Sequence, residues 1–411
     1  MEVALERIRN CTNKKLDIAD LGLVILPPLP DDLLELNCSF NELISLPELP
    51  HSLEKIHCIN NQLTSIASLP PSLLRLHCDG NRLTSLPELP RSLIVLKCQH
   101  NQLTSLPELP PSLTELVCYC NPLTSLPALP SLLESIDCHE NKLTSLPNLP
   151  SKMEWIDCHD NKLITLPELP TLLRRLTCYS NNLSLLPELP QTLVFINCND
   201  NKLTSLPRIP LSLEYLWCNH NYLTSLPSLP SLLILWIDCS VNELTSLPKL
   251  PRSLDNLECN DNQLKSLPPL PRRLRMLNCV RNRLISLPNF PASLECIDCD
   301  SNHISLLPPL PERLISLSCT KNSFDIFPEL PLELLRFVCD IHIDKTRLEY
   351  IDLSPERVQQ LNREIQQWML RRSKERTNER CKTYKEQIMM KAWHPTRVQK
   401  LLEMGYDIED M

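Results

Sequence analysis

SLIVLKCQHNQLTSLPELPP, residues 92 to 111, is the unit from which nearly all of this chain is built. The spacing returns every twenty residues: cysteine stands at 38, 58, 78, 98, 118, 138, 158, 178, 198 and 218 and, after one inserted residue, at 239, 259, 279, 299, 319 and 339. Three residues beyond each of the first fifteen comes an asparagine, from Asn41 to Asn322. A fixed short period means stacked units that share one continuous core, so the 411 residues count as rungs rather than as separate domains.

Within each unit, the segment from the second leucine to the residue after cysteine alternates, which predicts a short strand with leucine and cysteine pointing inward. Strands from successive units stack in parallel about 4.8 Å apart, giving a curved sheet on the concave side. The return path L-P-x-L-P cannot form an ordinary helix, because proline removes donors and pushes its predecessor to extended geometry. The asparagine sits where the chain turns inward, and its side chain can satisfy backbone groups that would otherwise be buried unpaired at about 1–3 kcal/mol each.

The pattern L-x-x-L-x-C-x-x-N-x-L-x-x-L-P-x-L-P resembles the leucine-rich repeat family. Its short, proline-marked form is similar to the repeat region of bacterial effectors of the YopM and IpaH type. That resemblance implies a leucine-rich repeat solenoid: a curved parallel β-sheet on the concave side, an extended or polyproline-like convex side, and short helical caps. The IpaH branch carries a ubiquitin ligase domain with a Cys-x-Asp motif after its repeats. Here only about seventy residues follow the repeats, and Cys296-Ile297-Asp298 lies inside a repeat strand, so the match is read as coincidence. The helical region that precedes the repeats in the effectors is much longer than the amino-terminal segment here, so its export role does not carry over.

Composition narrows the function classes. Three glycines against 39 prolines leave the turns to proline and asparagine and provide no phosphate-cradling loop. The amino terminus, MEVALERIRN, lacks the apolar stretch of a signal peptide, and no apolar run is long enough to span a bilayer. Twenty cysteines would suggest disulfides in a secreted protein, but sixteen follow the inward periodicity, which fits a reducing cytoplasm, the host-cell cytoplasm if the chain is effector-like or viral. The net charge of −8 is uneven: residues 356–400 hold twelve Lys/Arg and five Asp/Glu, so an acidic solenoid carries a basic arm.

Three regions follow: an amino-terminal cap over 1–15, a solenoid over 16–340 and a basic helical cap or tail over 341–411. In the first, Val3, Ile8 and Cys11 fall partly on one side of a short helix, and Leu16 opens a capping half-repeat. In the last, Ser354-Pro355-Glu356 reads as a helix start, with Val358, Leu361, Ile365, Trp368 and Met369 on one face that could close the core. The basic run 371–385 reads as a solvated helix face rather than a nucleic-acid site. The final residues read as two short helices broken at His394-Pro395, with Gly405 as a C-cap. Ala392-Trp393-His394-Pro395-x-Arg397 resembles a tail seen in proteins of giant DNA viruses of amoebae.

Three positions per rung face the concave side: the residue before the second leucine, the one after it, and the one after cysteine. The first column contains Trp155, Arg175, Phe195, Tyr215 and Trp236, of which the last three occupy consecutive rungs and could form one strip. Tyr119, Tyr179 and Trp217 bring the aromatics on this face to seven. Exposed aromatics on a concave surface mark an interface; the alternative is ring stacking that only stabilises the sheet. Asp137, Cys138 and His139 return one rung later as Asp157, Cys158 and His159, placing two aspartates and two histidines on the exposed face. Such a set suits a divalent metal or an acidic recognition patch, but polar repeats arise cheaply by duplication, so no metal ligand is assigned. His57 and His77 form a similar pair. Cys120 and Cys296, outside the ladder, are expected to be exposed and open to oxidation.

No catalytic set and no cofactor site appear. The expectation is a non-catalytic interaction scaffold that binds a protein partner through its concave face at Tyr119, Asp137, His139, Trp155, Asp157, His159, Tyr179, Phe195, Tyr215, Trp217 and Trp236. The alternative is a substrate adaptor whose carboxyl-terminal tail docks an enzyme such as a ubiquitin ligase.

Overall fold

The computed structural model describes residues 1–12, 14–231, 234–324, 326–340, 348–350 and 352–392. It divides into two compact units, Met1–Arg283 and Leu284–Met411. Residues 232–233 near the insertion, the His394-Pro395 break, Gly405 and the viral-like signature beyond Ala392 lie outside the described residues.

In the first unit each repeat contributes one three-residue strand, from β1 (Lys15–Asp17) and β2 (Glu35–Asn37) through β7 (Ser135–Asp137), β8 (Trp155–Asp157), β10 (Phe195–Asn197), β11 (Tyr215–Trp217) and β12 (Trp236–Asp238) to β14 (Met276–Asn278). Neighbours in sequence pair in parallel and in register, so equivalent positions of successive repeats face one another, as Phe195 faces Tyr215 and Tyr215 faces Trp236. The half-repeat at Leu16 supplies the first strand, with Leu16 opposite Leu36. In α1 (Glu2–Arg9) the residue that buries is Ala4, while Val3 stays in solvent.

The strands begin one residue earlier than the leucine–cysteine alternation suggests and end before the cysteine. The central leucine or isoleucine is buried and its two neighbours face the concave side. The cysteine still joins the ladder through its amide, as when Cys138 N–H donates to the Asp157 carbonyl at 2.8 Å. Two residues later the chain turns through the left-handed region, at φ 50° for Asn60, 49° for Asp160 and 50° for Val241, which ends the strand. The asparagine itself follows that residue. Between this turn and the Pro-x-x-Leu turn of the next repeat, the convex path holds no helix. Leu103, Leu113 and Leu116 are fully buried within one turn of the solenoid, each contributing at most about 1.5–3 kcal/mol.

Asparagines form one polar ladder through the core; serine and threonine form a second. Ser92 Oγ lies 2.7 Å from the Leu73 carbonyl, and Ser52, Ser72, Ser112, Thr192, Ser212 and Ser253 repeat the contact.

In the second unit β15 (Cys296–Asp298), β16 (Ser316–Ser318) and β17 (Arg336–Cys339) continue the parallel pattern, and β18 (Leu348–Tyr350) pairs antiparallel to β17. The helix α2 (Pro355–Ala392) starts where expected, with the Arg357 amide donating to Ser354 Oγ at 3.3 Å. Val358, Leu361 and Ile365 are buried. Asn362 fastens the helix to a repeat, accepting from the Leu330 amide at 2.8 Å and donating to its carbonyl at 3.0 Å. Trp368 and Met369 are only partly covered, and the same helix continues through the basic run, where residues 371–380 and 382–384 are exposed.

Candidate concave-face recognition site

Register brings the rings of the middle rungs next to one another; the rotamers then sort them into two arrangements. Tyr119, His139, His159 and Tyr179 stand in the column after cysteine and stack face to face at 4.1, 4.2 and 4.2 Å, with planes 12°, 10° and 14° apart. His100 meets Tyr119 edge-on at 5.1 Å. These spacings are shorter than the strand separation of about 4.8 Å, so the rings lean toward one another to reach stacking distance.

Two residues before each histidine an aspartate projects from the same face of the strand. Asp137 Oδ1 lies 2.6 Å from His139 Nδ1, and Asp157 Oδ1 lies 2.5 Å from His159 Nδ1. Duplication of the Asp-Cys-His triplet was legible in the sequence; the pairing inside each triplet was not. Asp137 is buried rather than exposed, because the neighbouring side chains cover it. Burial raises its pKa, partly offset by His139. Burial also works against charge on His159, but the hydrogen bond and field of Asp157, with Asp160 and Asp137, outweigh it and raise the pKa.

The second arrangement gathers Phe195, Tyr215, Trp217 and Trp236. The anticipated single-file strip of Phe195, Tyr215 and Trp236 is instead threaded by Trp217 from the adjacent column: Phe195 meets Trp217 edge-on at 5.1 Å, and Trp217 meets Trp236 at 5.7 Å. Phe195 and Tyr215 are 6.1 Å apart and tilted by 48°. Trp155 is separated from this cluster by the rung of Arg175, whose guanidinium sits 5.2 Å over the Phe195 ring. Arg175, Val194, Phe195, Tyr215, Trp217 and Trp236 line a shallow cavity of about 360 Å³. The seven aromatics are half-buried rather than fully exposed. Trp217 Nε1 is buried and has no hydrogen-bond partner among the described residues.

His57 and His77 also occupy adjacent rungs, but they meet edge-on at 4.5 Å and 81°. His57 and His77 occupy the column before cysteine, where the other pair has its aspartates, and Lys55 and Arg75 stand two residues before them; burial first, then His57 and Lys97, push His77 down to about 4. Cys120 is half-buried rather than exposed. Its thiol donates to Glu140 Oε2 at 2.8 Å, and burial together with that carboxylate pushes its pKa up to about 12, which argues against the expected reactivity. The ladder cysteines are buried, and burial raises Cys38 and Cys98 to about 12. Among the described residues no helix is long and apolar enough to cross a membrane.

Parallel in-register strands, an asparagine ladder and a helix-free convex path define a leucine-rich repeat solenoid. The chain is similar to YopM, a leucine-rich effector protein from Yersinia pestis, at 36% identity over 81% of this chain and 91% of that one, with a TM-score of 0.66. YopM from Yersinia enterocolitica WA-314 matches at 32% identity over 81% and 93%, with a TM-score of 0.55. The functional domain of InlJ from Listeria monocytogenes, which includes a cysteine ladder, matches at 26% identity over 72% and 67%, with a TM-score of 0.52. No protein-family model and no curated protein matches the sequence. The chain belongs to the leucine-rich repeat family that includes YopM.

Proposed function

We propose that this protein is a non-catalytic scaffold that captures a protein partner on its concave face, with the cluster of Phe195, Tyr215, Trp217 and Trp236 as the anchor. The observation that carries this reading is the apolar cavity of about 360 Å³, lined by Phe195, Tyr215, Trp217 and Trp236 and bordered by Arg175, whose guanidinium sits over the Phe195 ring. Aromatic anchors with a cation at hand suit a partner that presents an apolar side chain beside a carboxylate. Similarity to a leucine-rich effector supports action inside a host cell. The test compares the proteins captured from lysate by the wild type, by Tyr215→Ser/Trp236→Ser and by Arg75→Ala on a distant rung. A partner held by the first and third but lost by the second supports the reading; identical capture by all three refutes it.

A second reading, an adaptor whose tail docks an enzyme, draws support from the exposed continuation of α2, where Leu370 and Tyr384 face solvent. Truncation after Arg372 keeps Val358, Leu361 and Ile365 covered. Loss of an enzyme partner from that variant alone favours the adaptor.

A further inference from the structure

We propose that His139 and His159, together with Glu140 and Asp160, bind one divalent transition-metal ion of the zinc class on the concave face. The inference is independent of the aromatic anchor, which stands on later rungs.

A carboxylate only accepts hydrogen bonds. With Asp137 and Asp157 at the two Nδ1 atoms, each neutral ring carries its proton on Nδ1 and presents the lone pair of Nε2. Metal-binding histidines are oriented in this way, with the second nitrogen held by a carboxylate. The rings are 4.2 Å apart and within 10° of parallel, so both Nε2 atoms lie on the same side of the column. Tyr119 and Tyr179 bracket the pair and limit how far either ring can swing away.

Two further donors reach the same edge. His159 Nε2 is 3.8 Å from Asp160 Oδ2, and one ligand atom each from Glu140, His159 and Asp160 falls within 4.8 Å of the other two. Tetrahedral zinc, with bonds of about 2.0–2.2 Å, needs donors about 3.3 Å apart. Modest tilting of the rings toward each other and small shifts of the exposed Glu140 and Asp160 side chains close that gap. Glu140 keeps an oxygen for this purpose, since only Oε2 receives the Cys120 thiol. Imidazole with carboxylate suits zinc, nickel or copper, whereas magnesium and calcium prefer oxygen alone. The carboxylates of Asp137, Asp157, Glu140 and Asp160 gather around the two rings, a setting that suits a dication.

His57 and His77 serve as a control within the molecule. They share the adjacent-rung spacing but lack the two aspartates, and their rings are 81° apart.

The experiment titrates the untagged full chain with zinc chloride, read by calorimetry and by imidazole nitrogen NMR. Expected are one zinc per chain, shifts of the Nε2 resonances of His139 and His159, and at least a tenfold loss of affinity in His159→Ala. Asp157→Asn, which touches no metal, should weaken binding by about 10–100-fold, and His77→Ala should leave it unchanged. His139→Gln and His159→Gln keep side-chain bulk, and a denaturant midpoint for every variant separates lost binding from lost folding. No zinc uptake overturns the proposal; so does uptake unaltered in His139→Gln/His159→Gln, or weakened equally by His77→Ala.

Discussion

The side chain of Asn161 donates from Nδ2 to the carbonyl oxygen of Cys138, 3.0 Å away on the preceding turn, joining two rungs where the strand ladder does not reach. The same nitrogen faces the carbonyls of Cys158 and His159 at 3.2 and 3.1 Å, and Oδ1 accepts the Leu143 amide at 2.9 Å. Asn161→Ala strands that buried amide, at a cost of about 1–3 kcal/mol before the carbonyls are counted. The denaturant midpoint should fall and the Leu143 amide should exchange faster; if neither changes, the asparagine is a surface turn residue.

Val241 holds φ at 50°, in the left-handed region that β-branched residues avoid. Asn60 occupies the same place on another rung at the same φ. Val241→Asn should therefore stabilise the solenoid by about 1 kcal/mol, read as a higher denaturant midpoint.

Burial pushes the ladder thiols Cys38 and Cys98 up to about 12, so in the folded protein at pH 8 they should resist alkylation that they accept once unfolded. Cys120 is raised to about 12 by burial and by Glu140. Glu140→Gln removes the negative charge, lowers that pKa and should speed alkylation of Cys120, followed by mass spectrometry.

Two histidines give pH dependences of opposite sign. The folded pKa of His159 lies above its ordinary 6.5, so its contribution is complete below the unfolded value and fades as pH rises through the folded one. That of His77 is lowered from 6.5 to about 4, so its contribution is present above 6.5 and is lost as pH falls toward 4. Relative to wild type, His159→Gln should lose more stability at pH 6 than at pH 8. His77→Gln should show a smaller drop between pH 6.5 and pH 4. Denaturant midpoints across this range check both.

Trp217 buries an indole N–H without a partner. Trp217→Phe gives up ring area but also removes an unsatisfied donor, whose burial costs about 1–3 kcal/mol. Stability should stay within about 1 kcal/mol of wild type while partner capture weakens. A large stability loss with intact capture would assign the indole to the sheet alone.

The twenty-residue period determined the rung, the register and the buried set, because covalent spacing repeats the same backbone path and equivalent residues must then face one another across parallel strands. Leu116 and Cys138 inside and Asn161 at the turn were legible that way, and the helix start at Ser354 was legible from its capping pattern. The strand limits shifted because the left-handed residue two places after cysteine, not the leucine–cysteine alternation, ends each strand. Only the tertiary structure decided how the variable side chains meet. A column of equal spacing does not say that Asp157 turns to His159 on its own strand, that His139 leans to 4.2 Å from His159, or that Trp217 threads between Phe195 and Trp236. Those choices depend on rotamers selected across neighbouring rungs, and a rotamer is a property of the packed neighbourhood rather than of a residue's place in the repeat.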